Sequence, residues 1–138
     1  ECFQQLSHIL TASYPDAQIV VTGSPADVPL CEQICGAAPA GRLLNLAGKI
    51  SIRDMPELIR RLSVLVSADT GIAVMAYAMD CRTVTLFWRT DPAICGPLEA
   101  GSRHRVVTGP AAEHILPEQV FVEVSQHIQE DPHVRHIR

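Results

Sequence analysis

The stretch VLVSADTGIAVMAYAMDCRTVTLFWRTDPAICGP, Val64–Pro97, decides the fold. It opens on a short apolar strand, turns at Asp69-Thr70-Gly71 and continues through small residues suited to a helix. It then returns as a second strand, Thr83–Phe87, and ends in a polar loop closed by Pro97. Strand, helix and strand at this spacing predict a βαβ unit with its functional turn at the carboxyl end of the first strand. There the chain passes from strand to helix. Unpaired backbone N–H groups and the positive end of the helix dipole would favour an anion at Asp69-Thr70-Gly71.

Working outward, the same alternation recurs. Phe3, Leu6, Ile9 and Leu10 stand at helical spacing, and Tyr14-Pro15-Asp16 ends that helix. Gln18–Thr22 is almost wholly apolar, the pattern of a parallel strand buried on both faces. Gly23-Ser24-Pro25-Ala26-Asp27 turns the chain into a helix running to about Cys35. After the loop 37–42, Leu43–Leu46 reads as another strand, and Ala47-Gly48-Lys49 as a turn. Ser51 or Asp54 can cap the next helix, whose stripe is Met55, Leu58, Ile59 and Leu62. Arg105–Thr108 reads as a last strand. Pro117 opens a final amphipathic helix carrying Val120, Phe121, Val124 and Ile128, and a polar, frayed tail follows over about 130–138. Strands alternating with helices predict an α/β fold, an open parallel sheet with helices on both faces, in one domain over 1–138.

Composition narrows the function. Apolar residues make up 47% and charged residues 19%, as in an ordinary folded domain. A net charge of −4 and only 4% aromatics give no basic, base-stacking surface, so nucleic acid is not expected as a partner. No apolar run reaches the ~20 residues that span a bilayer, and the start ECFQQLSHIL lacks a signal-peptide layout. Cys2, Cys31, Cys35, Cys81 and Cys95 include one close pair, Cys31 and Cys35, and no second Cys or His pair at zinc spacing. Reduced thiols in the cytoplasm, and no metal site, are expected.

Ligands of open α/β sheets bind at the carboxyl ends of the strands. Three polar turns fall there: Gly23–Asp27, Gly48–Ser51 and Asp69–Gly71. Together they can cradle a nucleotide. Asp27 could take a ribose hydroxyl pair, Ile50 could lie against a base, and Thr70 with the amides of Thr70, Gly71 and Ile72 could hold a diphosphate. Plainer readings stand beside these. Asp27 could cap its own helix, Ile50 could belong to the core, and Asp69-Thr70-Gly71 could be only a capped turn. An aspartic-protease reading of Asp-Thr-Gly needs a second such triplet and an all-β chain, and has neither. The six histidines mark no catalytic arrangement; His133 and His136 read as surface residues of the tail. There is no Gly-x-Gly-x-x-Gly, no Gly-Lys-Thr and no Gly-x-Ser-x-Gly.

Taken as a set, TGSPAD (22–27), LLNLAGKISIRDMPELIRRLSVLVSADTG (43–71) and TVTLFWRTDPAICGP (83–97) resemble the carboxy-terminal half of the heptosyltransferase family of glycosyltransferases (glycosyltransferase family 9). The resemblance implies half of a GT-B fold, in which two Rossmann-like domains face each other across a cleft. It implies that this half binds a nucleotide-sugar donor such as ADP-heptose and that no metal or other cofactor is needed. An amino-terminal domain would supply the general base and the site for a lipopolysaccharide-core or other glycan acceptor. By position, Asp69, Thr70, Gly71, Ile72, Thr90 and Asp91 match the diphosphate and sugar loops. Gly23, Ser24, Asp27, Lys49 and Ile50 match the nucleoside side, with Asp27 where the family has a Glu. A cytoplasmic location at the inner face of the bacterial inner membrane follows from the same resemblance.

Two departures and one gap accompany it. Val74 stands where the family loop carries a His near the diphosphate. Trp88-Arg89 replaces a Gly-Pro, and Arg89 either meets phosphate or an acidic acceptor, in part replacing that His, or is a solvated loop residue. The family also enters this domain through a strand and a lysine-bearing loop that precede the helix beginning near Glu1. In a Rossmann-like order that strand lies between the strands at 18–22 and 64–67. The expectation is therefore a sheet lacking its first strand, completed by an amino-terminal domain or another chain, and no transfer by these residues alone. The alternative is a non-catalytic Rossmann-like module for protein contact.

Overall fold

The computed structural model describes residues 1–39, 41–99, 101 and 103–130. The tail and its histidines, His133 and His136, lie outside them. The chain falls into two compact units, one over Glu1–Met55 and one from Pro56 onward. The architecture is α/β, with parallel strands flanked by helices on both sides.

The first unit starts with α1 (Cys2–Ser13), whose buried face carries Leu6, Ser7 and Thr11. The hydroxyls of Ser7 and Thr11 donate to carbonyls one turn back, which satisfies them inside the helix. Next come β1 (Ile19–Val21), a 3₁₀ turn at Pro25–Asp27, α2 (Val28–Gly36) and β2 (Leu43–Asn45). β1 and β2 pair in parallel, with Val20 opposite Leu44. The sequence pattern predicts β1 to be buried on both faces, but all three of its residues are half-buried. The reason lies in its pairing: β1 has a ladder partner on one side, β2, and none on the other among the described residues.

The second unit contains most of α3 (Met55–Arg60), then β3 (Leu65–Ala68), α4 (Gly71–Ala78), β4 (Thr83–Phe87), α5 (Pro92–Cys95), β5 (His104–Thr108) and α6 (Pro117–Glu130). Ser51 caps the turn into α3, accepting from the Asp54 amide at 3.3 Å and donating to its carboxylate at 2.7 Å. The strand order is β3-β4-β5, all parallel. β4 is central and every one of its residues is buried. Ala73 and Ala76 of α4 are fully buried, small enough to let the helix lie close to the sheet. α6 buries Val120, Val124 and His127 at helical spacing. No ladder joins β1 to β3 among the described residues, so the five strands make two separate hydrogen-bonded sheets. None of the five cysteines is in a disulfide among the described residues.

Candidate functional site

In the first unit, the turns after β1 and β2 are tied together. The Gly48 amide donates to the Gly23 carbonyl at 3.0 Å, one step beyond the Leu46 amide on Val21. Gly48 holds φ +69°, a left-handed conformation that suits glycine, and a Cβ there would come within 3.2 Å of Val28. Gly23 is needed for space: a Cβ would meet the Asp27 Cβ at 2.8 Å. Asp27 closes a capping box, its Oδ2 accepting from the Ser24 amide at 2.9 Å and the Ser24 hydroxyl at 2.6 Å. These two bonds, the hydroxyl first, hold its carboxyl below the ordinary 3.8. Asp27 therefore closes the turn before α2 and makes no side-chain bond to the first amides of α2 itself. Its Oδ1 carries no bond among the described residues and remains available to a ligand hydroxyl. Lys49 donates to the Asn45 carbonyl at 2.9 Å, which uses one of its three N–H groups. Ile50 beside it is half-buried.

In the second unit, strands β3 and β4 end side by side, because the Asp69 amide donates to the Leu86 carbonyl at 3.1 Å. This pairing brings Asp69 and Thr90 together, and the Thr90 hydroxyl donates to Asp69 Oδ2. Twenty-one residues of chain separate the two. Asp69, Leu86, Trp88, Arg89 and Thr90 line a cavity of about 200 Å³. Thr70 is the N-cap of α4, with no side-chain bond to the helix. Its hydroxyl lies 3.3 Å from that of Ser67. The amides of Gly71 and Ile72 have no protein acceptor among the described residues, as expected for a first helical turn. A Cβ on Gly71 would meet nothing within 4 Å, so the space beside the start of α4 is open. Asp91 caps α5, taking the Ala93 amide at 2.9 Å. Arg89 is exposed on the cavity rim. Val74, one turn into α4, is 54% exposed and offers no hydrogen-bond donor.

Each group of expected residues is thus clustered within its own unit. Gly23, Ser24, Asp27, Lys49 and Ile50 stand on the paired turns of the first. Asp69 to Ile72, Arg89 and Thr90 stand at the ends of β3 and β4 in the second, and Asp91 is turned to its cap. The sequence reading marks Trp88 only as a departure beside Arg89, and leaves out one lining residue and one neighbour, Leu86 and Ser67. The only tryptophan of the chain, directly after a wholly apolar strand, carries a usable signal; the inward face of Leu86 and the Ser67–Thr70 approach carry none. Among the described residues, no group of three or more His, Cys, Asp and Glu could hold a metal ion. No described helix is long and apolar enough to cross a membrane.

Parallel strands with helices on both sides, and polar turns with unpaired helix amides at the strand ends, define a Rossmann-like α/β protein. The sequence profile of glycosyltransferase family 9 (heptosyltransferase) matches residues 1–128, and the chain belongs to that family. It is 30% identical over 83 residues to lipooligosaccharide heptosyltransferase 2 of Haemophilus influenzae, covering 58% of this chain and 24% of that one. Among solved structures it is similar to the E. coli ADP-heptose lipopolysaccharide heptosyltransferase II, with a TM-score of 0.80 and 24% identity, over 93% of this chain and 41% of that one. The E. coli heptosyltransferase WaaC with ADP gives a TM-score of 0.77 at 20% identity, over 91% and 38%. At these identities the structures establish the fold alone. The chain spans about a quarter of the curated relative's length and two fifths of the solved ones.

Proposed function

We propose that residues 1–138 form the donor-binding part of a heptosyltransferase and take a nucleotide-diphosphate sugar, with ADP-heptose the first candidate. One observation carries the reading: Asp69 and Thr90 meet at the rim of a cavity of about 200 Å³, on the same strand ends as the unpaired amides of Gly71 and Ile72. Those amides, the Thr70 hydroxyl and the Arg89 guanidinium supply donors for a diphosphate without a metal ion. Thr90 and Asp91 belong to the sugar side. In the first unit, Oδ1 of Asp27 receives a ribose hydroxyl, Ile50 faces the base, and Lys49 and the Gly23-Ser24 turn border the nucleoside.

Transfer to an acceptor hydroxyl also needs a base, and we assign it to an amino-terminal GT-B domain that carries the glycan acceptor. These residues then contribute support for the leaving diphosphate and no turnover of their own. The working place of such an enzyme is the cytoplasm, at the inner face of the bacterial membrane.

The test is thermal unfolding with ADP, UDP and dTDP. A ligand at a hundred times its Kd stabilises the folded chain by about 2.7 kcal/mol, a rise of several degrees. ADP is expected to give that rise, and sugar transfer by residues 1–138 is expected to be nil. Because Val74 stands exposed where an anion donor is expected, a second reading is a non-catalytic module of the same fold. No rise with any of the three nucleotides favours it.

A further inference from the structure

The cavity at the ends of β3 and β4 has two kinds of wall. Asp69, Arg89 and Thr90 are polar, whereas Leu86 and Trp88 are apolar. Leu86 is 2% exposed and has little surface left to offer, while Trp88, the residue after β4, is half-buried. The apolar wall open to a ligand therefore falls mainly to Trp88. Its indole N–H has no hydrogen-bond partner among the described residues, so the fold leaves this donor unused.

These walls suit a sugar ring better than an anion. The face of an indole is the negative side of its quadrupole and repels phosphate. The Thr90 hydroxyl gives its proton to Asp69 Oδ2, so both residues present oxygen lone pairs to the cavity rim, and these call for a ligand that donates. A pyranose ring meets both demands. The hydrogens on its carbons make one face an apolar plate, and the hydroxyls around its edge donate. At about 200 Å³ the cavity is smaller than the ~300 Å³ at which pockets for whole drug-sized ligands begin, which fits one ring and not a nucleoside. Asp69 also directly precedes Thr70 and the unpaired amides of Gly71 and Ile72, so a ring placed here adjoins a diphosphate held there.

We propose that Trp88 is the platform for the donor sugar: the ring lies with one face on the indole and turns its hydroxyls to Asp69 and Thr90. This rests on the donor reading above and adds to it a residue that selects the sugar. A sugar with an axial hydroxyl on the stacked face would have that group stripped of water against the indole, and would be disfavoured.

The chain has one tryptophan, so its fluorescence reports this wall alone. Titration of residues 1–138 with ADP-heptose should move the emission to shorter wavelength as the ring covers the indole, and ADP should leave it nearly unchanged. By calorimetry, Trp88→Leu should lose about tenfold in affinity for ADP-heptose, as expected for part of one apolar side chain's burial, and keep its affinity for ADP. Trp88→Phe, which restores an aromatic face, should recover most of the loss. Circular dichroism of each variant shows that the fold is kept. Equal emission changes with ADP and ADP-heptose, or equal losses for both ligands in Trp88→Leu, would overturn the proposal and leave the donor reading standing. Absence of binding by either ligand to the native chain would remove the donor reading and this proposal with it.

Discussion

Asp27 and Asp69 are both aspartates near the carboxyl end of a strand, yet their partners give them different tasks. Asp27 turns one oxygen inward to Ser24 and keeps the other for a ligand, while Asp69 takes a hydroxyl from the neighbouring strand's loop. Because the Ser24 bonds lower the Asp27 carboxyl, the ionised form is favoured in the folded chain. Its stabilisation is full above the ordinary value near 3.8 and is lost as pH falls below it, through the folded value. Urea denaturation between about pH 5 and pH 3 should therefore show a steeper loss for the native chain than for Asp27→Asn; equal slopes would give the acid sensitivity to other carboxylates. Arg89 has a simpler forecast. Exposed on the cavity rim, it should leave the melting temperature unchanged when replaced by Ala. ADP affinity should fall about tenfold, as one charge-assisted bond is lost, and unchanged affinity would make Arg89 a solvated loop residue. The individual roles were legible only as alternatives. Spacing shows that Asp27 can cap or bind, and only the geometry shows one oxygen held by Ser24 and the other without a bond among the described residues.

At the scale of elements, sequence periodicity was a good guide wherever a segment is long or buried. β4 and α6 were read from apolar runs and helical stripes alone, and the structure has both. The short α5 and the two 3₁₀ turns have too few residues for a period to show, and they were not seen. α6 also holds a feature that a stripe of apolar positions hides. His127 lies on its buried face with no exposed surface, and its Nε2 is 3.1 Å from the Thr83 carbonyl. That bond requires the proton on Nε2, and Nδ1 is left buried without a partner among the described residues. Burial pushes the imidazole below 6.5, against the Thr83 bond and Glu130, which pull the other way; Arg105 and Arg82 add to the lowering. A lowered folded value means that the unfolded chain binds the proton more readily. The helix should accordingly be most secure above pH 6.5 and lose stability as pH falls through that value. Urea midpoints between about pH 7.5 and pH 5 should decline for the native chain. They should decline much less for His127→Gln, which keeps a donor and removes the titration. The same decline in both would assign it elsewhere.

For the molecule as a whole, the alternation of strand and helix was enough to give an α/β fold, and the motifs at 22–27, 64–71 and 83–97 were enough to give the family. Degree of burial was not readable from them. Ile19–Val21 and Thr83–Phe87 are similar apolar runs, yet the first is half-buried and the second wholly buried. An apolar pattern records what a strand can bury, whereas its place in the ladder decides what it does bury. β4 is bonded on both sides, to β3 and β5, while among the described residues β1 is bonded to β2 only. A strand paired on both sides opens only when two ladders and the helices over them separate, which approaches global unfolding. A strand in a two-stranded ladder can open by itself at much lower cost. Native-state hydrogen exchange of residues 1–138 should thus divide the chain. The amides of Val84 to Phe87 should exchange at the free energy of global unfolding and follow denaturant with the full slope. Those of Val20, Val21 and Leu44 should exchange through smaller openings with a shallow slope. If β1 proved as protected as β4, its open edge would have to be covered in solution, and the difference in burial between the two strands would need another cause.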